Sequence, residues 1–338
     1  MLFWLKVCDR TRKKAPFDKN KACPCATLSQ AVSKYSFGEL KSYLFAPHSK
    51  LCTTPGVMSG LNTSLVYFLT VVGVSAVGRV LFARWKQRWS FLTELIAAFA
   101  LAACRLEVET ISEVGQWAGA LGPDVAFTML FLAIVIHGII MQGVSGNPAV
   151  TITAHLQKEI GAVAAVLSVA SQFLGAYLAL LFAGKYWEME LTDMHMIKNM
   201  MMAECSTSLR ATLVQGAFAE AVCAITFYLV HLVLKNRTQL LRVPILAFLL
   251  TFFTYAGNNY TSGYVNPSLA FALTFTCPGH TFLEYAVVYW LGPLVGMILA
   301  LFLYLGNIPL LFNRNLLYSR KARFRVPKGK TSDDNKIN

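Results

Sequence analysis

The sequence predicts an all-α polytopic membrane protein: an inverted repeat of six transmembrane helices plus two half-helices, with one extra N-terminal apolar segment. Three observations predict it. Of 338 residues, 56% are hydrophobic and only 14% charged, against about a quarter charged in soluble domains. Residues 160–184 and 285–313 contain no charge at all, and a spanning helix needs about 20 predominantly apolar residues. Two Asn-Pro pairs, in "SGNPAVT" (145–151) and "VNPSLA" (265–270), each open an apolar stretch too short to be a span.

Taken in order, residues 1–57 carry ten Lys/Arg against three Asp/Glu and lack the continuous apolar core of a signal peptide. They read as a disordered basic extension. Met58 opens "MSGLNTSLVYFL" and would serve as an alternative start. An apolar domain over 58–312 follows, then a basic tail over 313–338. The domain holds seven long apolar segments, near 61–83, 90–104, 124–141, 160–184, 211–234, 241–257 and 285–310. Two short ones lie at 147–156 and 266–276. Ten residues of helix extend about 15 Å, half a bilayer.

Charge assigns the sides. "RWKQRW" (84–89), the connector with Lys235, Arg237 and Arg242, and the tail are basic, so they belong to the cytoplasmic side. The stretch 105–124, with Glu107, Glu109, Glu113 and Asp124 against Arg105, reads as a loop on the opposite side, as does 185–210. Six crossings from residue 90 then leave both flanks cytoplasmic. A full span at 61–83 would put the basic N-terminal residues on the far side, against the rule. The net charge of +13 therefore points to anionic headgroups of a lipid bilayer and not to nucleic acid.

The halves 90–184 and 211–310 share one plan: a span with a lone carboxylate (Glu94, Glu220), a second span, an Asn-Pro half-helix and a third span. Three spans per half force the second half to be inverted in the membrane. An intramembrane glutamate costs about 2–3 kcal/mol on insertion scales unless paired. Irregular backbone entering a bilayer has N–H groups to satisfy internally. Glu94 and Glu220 thus read as clamps for the loops before the half-helices; the alternative is a proton-relay role in a secondary transporter.

Asn is a favoured N-cap and Pro is favoured at the first helical position. So Asn147 and Pro148, followed by Ala149, start one half-helix, and Asn266 and Pro267, followed by Ser268, start the other. Inversion brings the two N-termini tip to tip at the midplane, each worth about half a positive charge. With the Asn carbonyls spent on capping, their amide groups are expected to be free to donate to a water oxygen. That describes a pore for neutral, hydrogen-bonding solutes with a barrier to cations.

These motifs, the two glutamates and "YWLGPLVGMILA" (289–300) resemble the aquaporin family over residues 90–310. The extra segment at 61–83 is similar to that of its unorthodox intracellular branch. The resemblance implies a homotetramer of passive channels for water or small neutral solutes (glycerol, hydrogen peroxide), without a cofactor. It also implies an internal membrane such as the endoplasmic reticulum or a secretory vesicle. The family's filter arginine falls here on Leu269, and its other filter positions on Gly263, Thr254 and Phe127. Without arginine and histidine the constriction should be wider and more apolar, passing a small neutral solute or dewetting into a closed, structural pore. Cys205 and Cys277 both fall on the non-cytoplasmic side, where either a disulfide or two free thiols fits. The eight cysteines show no zinc spacing, and no catalytic grouping argues for an enzyme.

Overall fold

A computed structural model describes residues 60–83, 90–118, 121–202 and 205–305, with no strand among them. The helices are α1 (Gly60–Ala83), α2 (Ser90–Ala118), α3 (Pro123–Met141), α4 (Pro148–Leu156), α5 (Ala162–Trp187), α6 (Asp193–Met201), α7 (Leu213–Leu234), α8 (Gln239–Gly257) and α9 (Pro267–Thr274). A last span runs through α10 (Phe282–Ala286), a π-helical turn (Val287–Leu291) and α11 (Gly292–Tyr304). The π turn precedes Pro293, which has no N–H to donate to the carbonyl four residues back. The expectations for residues 1–57 and for the tail 313–338 lie outside the described residues.

Among the described residues, α1, α3, α5, α7, α8 and the α10–α11 span are long and apolar enough to cross a membrane. Large apolar side chains such as Val163, Leu240 and Phe248 stand exposed on their outer faces. Toward lipid such a face is what a span requires; toward water it would be a liability.

The exception corrects the sequence reading. α2 does not end at residue 104; it continues to Ala118, and most of the supposed acidic loop 105–124 is its last four turns. The charges there have partners inside the protein. Glu107, fully buried, accepts from Ser64 Oγ (2.6 Å) and Trp187 Nε1 (3.1 Å) and pairs with His195 Nε2 (2.8 Å). Glu113 accepts from Lys198 Nζ at 2.6 Å. The second expected loop, 185–210, contains α6, which supplies His195 and Lys198.

α1 runs antiparallel to α2. Near its start Ser64 meets Glu107 and Tyr67 Oη donates to Ala103 O at 3.0 Å; near its end Gly78 faces Ile96. Residue 60 therefore lies at the end of the bundle that carries α6.

The repeat is visible in backbone contacts. α2 packs along α5, and α7 along the α10–α11 span. A Cβ on Gly175 of α5 would lie 2.2 Å from Leu95 O, and one on Gly296 of α11 would lie 2.4 Å from Ala221 O. Leu95 and Ala221 are the residues directly after Glu94 and Glu220, so each third span rests a glycine at the same place on its first span. Such close approach is how helices associate in lipid. Gly296→Leu is expected to force the pair apart and shift the detergent-purified protein to aggregate on size-exclusion chromatography; a monodisperse wild-type-like profile would refute this. The half-helices are exchanged between halves: α9 packs its Leu269, Ala270 and Leu273 into the α2–α5 core, while Ala149 of α4 joins Phe227, Tyr228, Met297 and Ala300 of the second half.

Candidate pore

Each half-helix begins with its Asn in an extended conformation and Pro next. Asn147 Oδ1 accepts from Ala149 N at 3.0 Å, and Asn266 Oδ1 from Ser268 N at 3.1 Å and Leu269 N at 3.4 Å. The residue before each Asn is left-handed, Gly146 at φ 61° and Val265 at φ 52°. This turns both preceding carbonyls toward the opposite half. Asn147 Nδ2 donates to Val265 O and Asn266 Nδ2 to Gly146 O, each at 3.2 Å. The sequence reading expected both amides to be free; instead each makes one bond within the protein. One proton of each is spent on crossing the pore axis, because a buried carbonyl needs a donor, and one proton of each remains. Ser268 Oγ lies 3.1 Å from Gly146 O and 2.9 Å from Asn266 Oδ1, either of which its proton serves. Tyr228 Oη reaches Asn147 Oδ1 and Val265 O, both at 3.3 Å.

Only glycine fits at 146, since a Cβ would stand 2.6 Å from Ala98 N. Val265 holds the same conformation with a β-branched side chain, a strained choice of about 1–3 kcal/mol. Glu220 meets that strained segment directly: its two oxygens accept from Tyr264 N (3.0 Å) and Val265 N (2.9 Å). Glu94 accepts from Gly146 N at 3.1 Å and from Gln172 Nε2 at 2.8 Å, and Gln172 Nε2 also lies 2.8 Å from Thr151 Oγ1. Sequence reasoning missed Gln172 and Tyr228. The signal for Gln172 was present, a lone amide in a charge-free span.

A cavity of about 130 Å³ runs past both Asn residues, roughly ten times what one water needs. Thr254, Gly263 and Leu269 line one end; His231 and Arg242 line the other. Thr254 and Arg242 sit twelve residues apart on α8, about 18 Å along its axis. Phe127 is placed differently from its sequence assignment: it meets Tyr255 edge-on at 5.3 Å, and Leu130, one turn on, faces the cavity. Arg105, assigned by sequence to a loop, lines the Thr254 end from α2. No carboxylate is among the lining residues. His137 lines the middle and pairs with Ala97 O at 3.0 Å; His231 Nδ1 has no partner among the described residues.

Cys205 and Cys277 are disulfide-bonded, Cα to Cα 5.2 Å. The bridge ties the segment before α7 to the end of α9. Beside it Thr207 N donates to Pro278 O at 3.2 Å and Ser208 N to Thr274 Oγ1 at 2.9 Å.

The family described as Major intrinsic protein matches residues 66–304. Aquaporin-12 of Mus musculus is 40% identical over 279 residues, covering 81% of this chain and 96% of its own length. Putative aquaporin-12A of Homo sapiens is 39% identical over 273 residues (81% and 90%), and aquaporin-11 of Equus caballus 28% over 273 residues (78% and 96%). A helical bundle with paired Asn-Pro half-helices, matched across more than two thirds of its length, belongs to the major intrinsic protein family, the aquaporins, and resembles aquaporin-12.

Proposed function

We propose that the chain conducts water, or a small neutral solute such as glycerol or hydrogen peroxide, passively through the cavity between Asn147 and Asn266. Membership of the family makes it a multi-pass membrane channel for water or small solutes and not an enzyme. The single observation that supports the specific path is the reciprocal pair of bonds, Asn147 to Val265 O and Asn266 to Gly146 O, inside one cavity. These bonds fix both helix tips and leave one amide proton on each Asn for a passing oxygen. The helix ends oppose cations there.

A proton-coupled transporter using Glu94 or Glu220 is the weaker reading. Glu220 spends both oxygens on backbone N–H groups, Glu94 holds one backbone N–H and the Gln172 amide, and neither lines the cavity. The chain as a homotetramer in an endoplasmic reticulum or secretory-vesicle membrane, with both flanks of the six-helix core cytoplasmic, rests on the family and on the basic connectors. The test is stopped-flow light scattering of the purified protein in liposomes. Shrinkage under an impermeant osmolyte should exceed that of empty liposomes, and reswelling in glycerol reports whether the constriction passes larger solutes. Rates at background for both would favour a closed, structural pore.

A further inference from the structure

We propose that Arg105 is the selectivity-determining cation of this pore, supplied by α2 to the mouth where Leu269 brings no charge. The proposal rests on the channel reading above. Arg105 is only 7% exposed, yet it lines the cavity at the end framed by Thr254, Gly263 and Leu269. Its guanidinium lies over the Tyr264 ring, 5.6 Å from the centroid, and makes no hydrogen bond or salt bridge among the described residues. Five N–H donors are thus left for whatever enters. Glu109, one turn along α2, is its acidic neighbour; it attracts Lys198 and Arg210 as well as Arg105, and makes no hydrogen bond or ion pair with any of them among the described residues. The mouth is therefore not the wide, apolar constriction that Leu269 and Thr254 suggest in sequence. With Arg242 at the opposite end and two helix N-termini between, the lining is positive at three levels and carries no acid. Cations meet a barrier at each level, while a water or a neutral oxygen-bearing solute finds donors.

Tyr264 acts as the positioning residue. Its hydroxyl lies 2.7 Å from Ser208 Oγ and its backbone N–H is held by Glu220. Ser208 is in turn fixed on Thr274 beside the Cys205–Cys277 bridge. Arginine stacks on an aromatic face through a planar, delocalised charge, so this platform fixes where the charge sits.

The test uses the full chain in liposomes, reading osmotic water flux and, in parallel, proton entry under a potassium–valinomycin potential with an entrapped pH dye. Arg105→Leu should raise the ratio of proton leak to water flux about tenfold or more over wild type. Arg105→Lys should stay near wild type, and Tyr264→Leu should fall between. Water flux in the wild type with an unchanged ratio in Arg105→Leu overturns the proposal alone. Wild-type water flux at background overturns the channel reading and the proposal with it. If Arg105→Leu does not reconstitute, Arg105→Cys in a Cys104→Ala background decides, read by mass spectrometry after a small water-soluble methanethiosulfonate. Modification at position 105 supports a wet mouth there; none overturns it.

Discussion

Glu220→Ala is expected to lose most of the stability of the channel fold. The carboxylate is fully buried and accepts two backbone N–H groups from the segment that presents Asn266. Alanine leaves both without an acceptor in a region that water does not fill. A buried donor deprived of its partner costs about 1–3 kcal/mol, so the pair costs about 2–6. The loss does not stop there. Val265 is left-handed at φ 52°, and Glu220 is what holds its N–H. Once released, its backbone relaxes and its carbonyl turns from Asn147 Nδ2 and Tyr228 Oη. At about 2–4 °C per kcal/mol, the melting temperature in detergent should fall by roughly 5–20 °C. Glu220→Gln keeps one acceptor oxygen and should fall by about half as much. Glu94→Ala should fall less than Glu220→Ala, since Glu94 holds one backbone N–H and an amide. A proton carrier would behave otherwise: Glu220→Gln would melt like wild type and lose only pH-driven uptake.

What the sequence makes legible here is what a few neighbouring residues decide. Asn then Pro needs only its own turn to cap a helix, and both half-helices begin and end within two residues of the sequence assignment. A lone carboxylate in an apolar run announces a buried partner, so Glu94 and Glu220 stand out. Contacts across the chain leave weaker marks. The residues 105–118 look like a polar loop because the groups that neutralise Glu107 and Glu113 lie 43 to 88 residues away, on α1, α5 and α6. A helix that stopped at 104 would leave Arg105 in a loop, whereas the longer α2 carries it to the cavity. The positive φ of Val265 carries no sequence signal at all, because valine disfavours it; it becomes intelligible only from Glu220 and Asn147 on either side.

Asn266→Asp should separate a pore through the paired motifs from any other route. Aspartate is as good an N-cap as asparagine, so the bonds from Ser268 N and Leu269 N survive and α9 still forms. The other oxygen is the one that changes. Where Asn266 Nδ2 donates to Gly146 O at 3.2 Å, a carboxylate oxygen would face a carbonyl oxygen. Ser268 Oγ, 3.1 Å from the same carbonyl, becomes its remaining donor, which limits the structural damage. The charge at the midplane also reverses, opposing the two positive helix ends. A passing water loses one donor and meets an acceptor that grips its hydrogens. A barrier raised by about 1.4 kcal/mol slows flux about tenfold, and the exchange of a donor for a charged acceptor is worth at least that much. Water permeability should therefore fall about tenfold or more, while size-exclusion elution stays as in wild type. Cation leak should rise, since the barrier at the tips is cancelled. Ser268→Ala should leave flux nearly unchanged, because Asn266 still holds Gly146 O. The double variant should then lose elution behaviour as well, with the Gly146 carbonyl left without a donor. Unchanged flux in a well-folded Asn266→Asp protein would place the conduction path away from the two Asn residues.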